Sequence, residues 1–198
     1  MEAVTDQAPA GEPKPTLASL TSSIAGSLTE NVPQQDRCLT QAVYFEARGE
    51  PLEGQLAVAQ VVLNRVADPR YPNSICEVVF QNDHRKHRCQ FSFACDGKTD
   101  KPANSEAWDL AKAVAYVAKT GQWQDMSKGS THYHAIYVSP FWREHLHPTV
   151  QWGQHVFYTE EAAKLREAEV RLRPRNRRLT DTAAVSGVEN RTALSPKG

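Results

Sequence analysis

Apolar positions along this chain keep two rhythms. Leu39, Val43 and Ala47, with Ala42 beside them, recur at helical spacing, and Asp36 stands ahead of them as an N-cap. Gly49 then stops this helix, and Pro51 suits the first turn of the next. Leu56, Ala59, Val62 or Leu63, and Val66 continue as a second stripe that ends near Asp68-Pro69. Ile75, Val78, Val79 and Phe80 make a short apolar element. Asn104 or Ser105 can cap a further helix carrying Trp108, Ala111, Ala115 and Ala118, with Gly121 closing it. Elsewhere the rhythm is two. Phe91 and Phe93 alternate with Ser92 and Ala94, which predicts a strand over 89–95 ended by Asp96-Gly97. From Thr131 to Tyr158 aromatic and β-branched residues alternate around a loop with Pro140 and Pro148, which predicts a hairpin or small antiparallel sheet. Helices followed by a small sheet make an α+β class.

Both ends depart from these rhythms. Residues 1–34 are rich in Pro, Ser, Thr and Ala and read as a disordered leader, with a short helix near Leu17 to Leu28. Residues 35–159 read as the folded domain. Residues 160–198 read as a charged helix and a basic tail, with Arg171, Arg173, Arg175, Arg177 and Arg178 clustered. That tail is either simply solvated or contacts an anionic component of the cell envelope. Of the 198 residues 40% are apolar, enough for one core. Lys plus Arg and Asp plus Glu stand at 23 each, so charge gives no case for nucleic acid. No membrane span is expected, and no secretory leader within these residues.

Cys38, Cys76, Cys89 and Cys95 are even in number and close together, which suggests two disulfides and an oxidising compartment. Three pairings are open. Zinc is the rival, but the spacings do not suit knuckle motifs. His132 and His134 alternate on an expected strand, and His145 and His147 repeat that spacing. No His-Glu-x-x-His is present, and neither a metal nor another cofactor is expected.

The sharpest chemical signal is Glu46. It follows Tyr44 and Phe45 in the last turn of an apolar helix. A carboxyl set among apolar side chains has its pKa raised, because burial disfavours the charge. A carboxylic acid that keeps its proton can protonate a leaving glycosidic oxygen. Glu50, Glu53 and Asp96 are the partners that a water-using cut would draw on. Arg48 is expected to pair with Glu50, with substrate binding as its alternative. Gln55 and the run Gln90-Phe91-Ser92 offer amide, ring and hydroxyl groups suited to sugars. One of His132 and Tyr133 is expected to line the same cleft.

The motif Ala42-Val-Tyr-Phe-Glu46-Ala-Arg-Gly-Glu50-Pro, followed by Glu53-Gly-Gln55 and Asn64-Arg65-Val66, resembles the SleB/CwlJ-like cell wall hydrolases. Cys89-Gln-Phe-Ser92, Cys95-Asp-Gly97, Thr131-His-Tyr-His134 and His155-Val-Phe-Tyr158 extend the resemblance to about Cys38–Tyr158. The cysteine-bearing segment is similar to the form found in Gram-negative bacteria. The resemblance implies a lysozyme-like α+β domain, periplasmic or secreted. It implies cleavage of the β-1,4 bond between N-acetylmuramic acid and N-acetylglucosamine in peptidoglycan strands, without a cofactor. Glu46 would be the catalytic acid of a lytic transglycosylase. Tyr44, Glu50, Gln55, Gln90, Phe91, Ser92, His132 and Tyr133 are the expected substrate-binding residues. The alternatives are a water-using muramidase and a weakly active peptidoglycan-binding module.

Overall fold

Helices stand where the apolar stripes predict them. A computed structural model describes residues 15–28, 31–85 and 89–160. Helix α1 is Leu17–Ala25, α2 Gln34–Ala47, α3 Leu52–Ala67, α4 Ile75–Val79 and α5 Ser105–Thr120. Strands β1 His132–Ala135, β2 His147–Trp152 and β3 His155–Thr159 complete the α+β fold. Asn104 accepts from the Ala107 amide at 2.9 Å and so caps α5, and Gly121 ends it at a left-handed φ of 65°. Ser74 caps the short α4.

The core forms where α2, α3 and α5 meet. Leu39, Val43, Leu56, Val58, Val62, Val114 and Val117 are buried there, and Phe157 brings the sheet onto them. The sheet order is β1-β3-β2, antiparallel throughout, with Tyr133 opposite Phe157 and His132 opposite Tyr158. The cysteines pair as Cys38–Cys76, which ties α2 to α4, and Cys89–Cys95, which closes a short loop.

Four expectations change. The strand over 89–95 does not form; Ser92–Cys95 is a 3-10 turn. An extended run of that length would span about 20 Å, whereas the disulfide holds the two Cα atoms 6.2 Å apart. Helix α2 begins at Gln34 behind Pro33, so Asp36 lies in its first turn and pairs with Lys119 rather than capping. Within the stretch read as a disordered leader, the short helix expected near Leu17 to Leu28 forms as α1, but it packs on the core, with Leu17 5% exposed; residues 1–14 of that stretch lie outside the described residues. Arg48, expected to pair with Glu50, instead lies over the Tyr44 ring at 5.0 Å. The described residues belong to one unit ending at Glu161. The charged helix and basic tail expected from residue 161 onward lie outside the described residues.

Candidate active site

Glu46 sits in the last turn of α2, half-buried, where the chain turns into α3. The 3-10 turn approaches from one side and β1 from another. The Ser92 hydroxyl donates to Glu46 Oε1 at 3.0 Å, and the Tyr133 hydroxyl donates to Oε2 at 3.3 Å. The backbone N–H groups of Ser92 and Phe93 lie near the carboxyl and also favour its charged form. Burial pushes the Glu46 pKa up, and these four groups pull it back without cancelling the rise. Tyr133 is fully enclosed, so its phenol is held well above its ordinary pKa and stays a donor. Among the described residues the polar partners of the carboxyl are hydroxyls and backbone N–H groups, and none is a second carboxylate.

Deeper residues hold this frame. Arg65 is 2% exposed; its Nε donates to the Thr131 carbonyl at 2.7 Å and its Nη2 to Gln90 Oε1 at 2.8 Å. One side chain therefore ties the segment ahead of Ser92 to the segment ahead of Tyr133. Asn64 donates to Ser127 Oγ and the Ser130 carbonyl beside it. Phe91 is buried and packs against Tyr133, with ring centres 6.4 Å apart. Phe45 and Phe93 stack at 4.9 Å, joining α2 to the turn that carries Ser92.

Apart from Phe91, which is buried against Tyr133, the expected binding residues fall into three groups. Ser92 and Tyr133 touch Glu46. Tyr44, Glu50 and Gln55 are turned elsewhere. Tyr44 is 2% exposed, and its hydroxyl accepts from the amides of Ala103 and Asn104 at 3.0 Å each, which fixes the start of α5. Glu50 Oε2 accepts from the Gln154 amide at 2.8 Å, and Gln55 donates to the Glu50 carbonyl at 3.0 Å. Gln90 and His132 line a separate cavity. Asp96 shares a groove with Ser92, Arg48 and Lys98, and the edge of Tyr44 also lines it. His132 and His134 both pack on Trp142, so they share a face of β1 opposite Tyr133. Among the described residues no three His, Cys, Asp or Glu side chains come together as a metal cluster. Arg65 and Trp142 carry much of this geometry. A polar residue beside the α3 stripe and its place in the Asn64-Arg65-Val66 motif were the signals for the first, and none stood out for the second.

The cell wall hydrolase family matches residues 49–158, beginning just after Glu46. Among curated proteins, a spore cortex-lytic enzyme of Bacillus subtilis is 46% identical over 113 residues, covering 52% of this chain and 35% of that protein. A second, from Halalkalibacterium halodurans, is 37% identical over 95 residues, covering 48% and 25%. The chain thus spans 35% or less of these relatives' length. The catalytic domain of the Bacillus cereus SleB protein superposes with a TM-score of 0.52 at 30% identity, over 67% of this chain and 95% of that one. The catalytic domain of the germination-specific lytic transglycosylase SleB of Bacillus anthracis gives 0.53 at 29% identity, over 67% and 100%.

Proposed function

This chain belongs to the cell wall hydrolase family, and on that footing we propose that it is a peptidoglycan lytic transglycosylase with Glu46 as acid and base. The observation that carries the reading is a lone, half-buried carboxyl ringed by neutral donors. Burial raises its pKa and so favours the protonated form that an acid needs. The Glu46 proton passes to the oxygen that links N-acetylmuramic acid to N-acetylglucosamine, and the C1–O bond breaks. The muramoyl C6 hydroxyl then attacks C1 and gives its proton to the Glu46 carboxylate. The acid is restored and a 1,6-anhydro end is left. No water and no second carboxylate enter this sequence. Ser92, Tyr133 and two backbone amides stabilise the carboxylate between the two transfers. The spore cortex-lytic relatives and the two disulfides support work outside the cytoplasm, in the periplasm or after secretion. The substrate is then the glycan strand of peptidoglycan.

A water-using cut is the second reading, and Asp96 on the groove beside Ser92 would be its second carboxylate. Purified sacculi digested with wild type and Glu46→Gln, with products weighed, decide between them. Anhydro-ended muropeptides from wild type, with the rate lowered about 10²- to 10⁴-fold in Glu46→Gln, are expected. Reducing-end products would replace the transglycosylase reading by hydrolysis. No product from wild type would leave a binding module.

A further inference from the structure

The disulfide-closed loop Cys89–Cys95 has an opening at each end. Ser92 and Phe93 line a charged groove at one end; Cys89 and Gln90 line a cavity of about 650 Å³ at the other. Glu46 does not line this second cavity, and the reaction sequence above does not use it. Trp142, Phe141, Asn82, Arg65 and His132 also stand in its wall, with Tyr71 and Gln81 beside them.

These groups are set in place before anything binds. The Trp142 indole is braced by His132, His134 and Tyr158, with ring centres 5.2, 5.7 and 5.6 Å away. Phe141 beside it is 87% exposed, a large apolar ring left facing outward. Arg65 fixes Gln90 by donating to its Oε1 at 2.8 Å. The Gln90 amide nitrogen is thereby turned to donate, and among the described residues it meets no acceptor. Asn82 adds a second carboxamide, on a backbone with φ of 65°. Among the described wall residues Arg65 alone is charged at neutral pH, and it is only 2% exposed. Arg65 is answered by a carbonyl, an amide oxygen and the Tyr71 ring at 4.9 Å. His132, at a pKa of about 4 through burial and the nearby Arg65, carries no charge at neutral pH.

Rigid aromatic faces with outward amide donors and little charge suit a neutral ring that has apolar faces and acetamido oxygens. We propose that this cavity is a second glycan site, holding an N-acetylhexosamine of the strand away from the bond at Glu46. It rests on the peptidoglycan reading given above. Pre-set rings and a pinned amide cost little to order on binding, so the site would grip the strand while Glu46 acts elsewhere on it.

The test uses the full chain with Glu46→Gln, so that ligand survives, and N-acetylglucosamine oligomers as the probe. Calorimetry should show the hexamer binding more tightly than the dimer. Adding Phe141→Ala or Trp142→Ala should each raise the hexamer Kd about tenfold. Phe141 is so exposed that its truncation opens no core, which keeps one variant readable if Trp142→Ala fails to fold. An unchanged hexamer Kd in folded Phe141→Ala overturns the site, and so does a hexamer that binds no better than the dimer. Cleavage of sacculi by wild type is scored apart. Wild type that cuts sacculi while hexamer binding ignores Phe141 removes this site alone. Hexamer binding that depends on Phe141, in a chain that cuts nothing, keeps the site and removes the glycosidase reading.

Discussion

Tyr133 donates to Glu46 at 3.3 Å, and a donor to a carboxylate favours its charged form. Tyr133→Phe therefore lets the Glu46 pKa climb further. The alkaline limb of the kcat/KM profile, where the acid loses its proton, should move to higher pH, and a pH series on sacculi checks this. The same carboxyl makes a statement about stability. Its folded pKa is raised above the ordinary 4.5, so the folded state holds the proton more tightly than the unfolded one. Stability is then lost as pH rises from 4.5 through the folded value, and below 4.5 both states are protonated. Glu46→Gln should melt higher than wild type above that window and gain nothing from this source below it, as thermal melts across pH will show. Glu46 was legible in sequence because a carboxylate among apolar residues is conspicuous. Its partners were less so. Ser92 and Tyr133 come from segments far along the chain, and only the fold decides that they converge on Glu46 rather than Tyr44 or Gln55.

The helices were legible to within a few residues, because periodic stripes and capping residues are local signals. The 89–95 segment misled because two-residue alternation on so short a run is also met by a tight turn, and the pairing that closes it cannot be read from spacing. At the β2–β3 turn Gly153 holds φ of +53°, and a Cβ there would lie 2.0 Å from Glu50 Oε2 and 2.7 Å from Pro51 Cδ. Gly153→Ala adds a left-handed backbone penalty to that clash. It should cost about 2–4 kcal/mol in denaturant unfolding. Because Gln154 leads directly into β3, activity should fall with it.

Across the whole molecule, two cross-links act over very different lengths. Cys38–Cys76 spans a sequence separation of 38 and Cys89–Cys95 one of 6. In the chain-entropy account the first contributes about 4 kcal/mol and the second about 2 kcal/mol. The double variant Cys38→Ser with Cys76→Ser should therefore lose roughly twice the stability of the Cys89→Ser, Cys95→Ser pair. The short bridge frames Ser92, so its loss should weigh more on rate than on melting temperature. Comparing melts and sacculus digestion for the two pairs checks both statements. The α+β class and the cell wall resemblance could be read from the sequence. The cavity around Trp142 could not, because its wall gathers side chains from α3, the 81–90 loop, β1 and the 3-10 turn at 141–145.

The Glu50 link to the Gln154 amide has one more effect. Glu46 and Glu50 flank the same helix-to-helix corner. Glu46 meets the Tyr133 hydroxyl directly, while Glu50 holds the β2–β3 turn, and β3 places Phe157 opposite Tyr133. In a machinist's terms, acid and donor are dimensioned from one datum. Errors elsewhere in the chain then move both together, and the gap between them stays within tolerance.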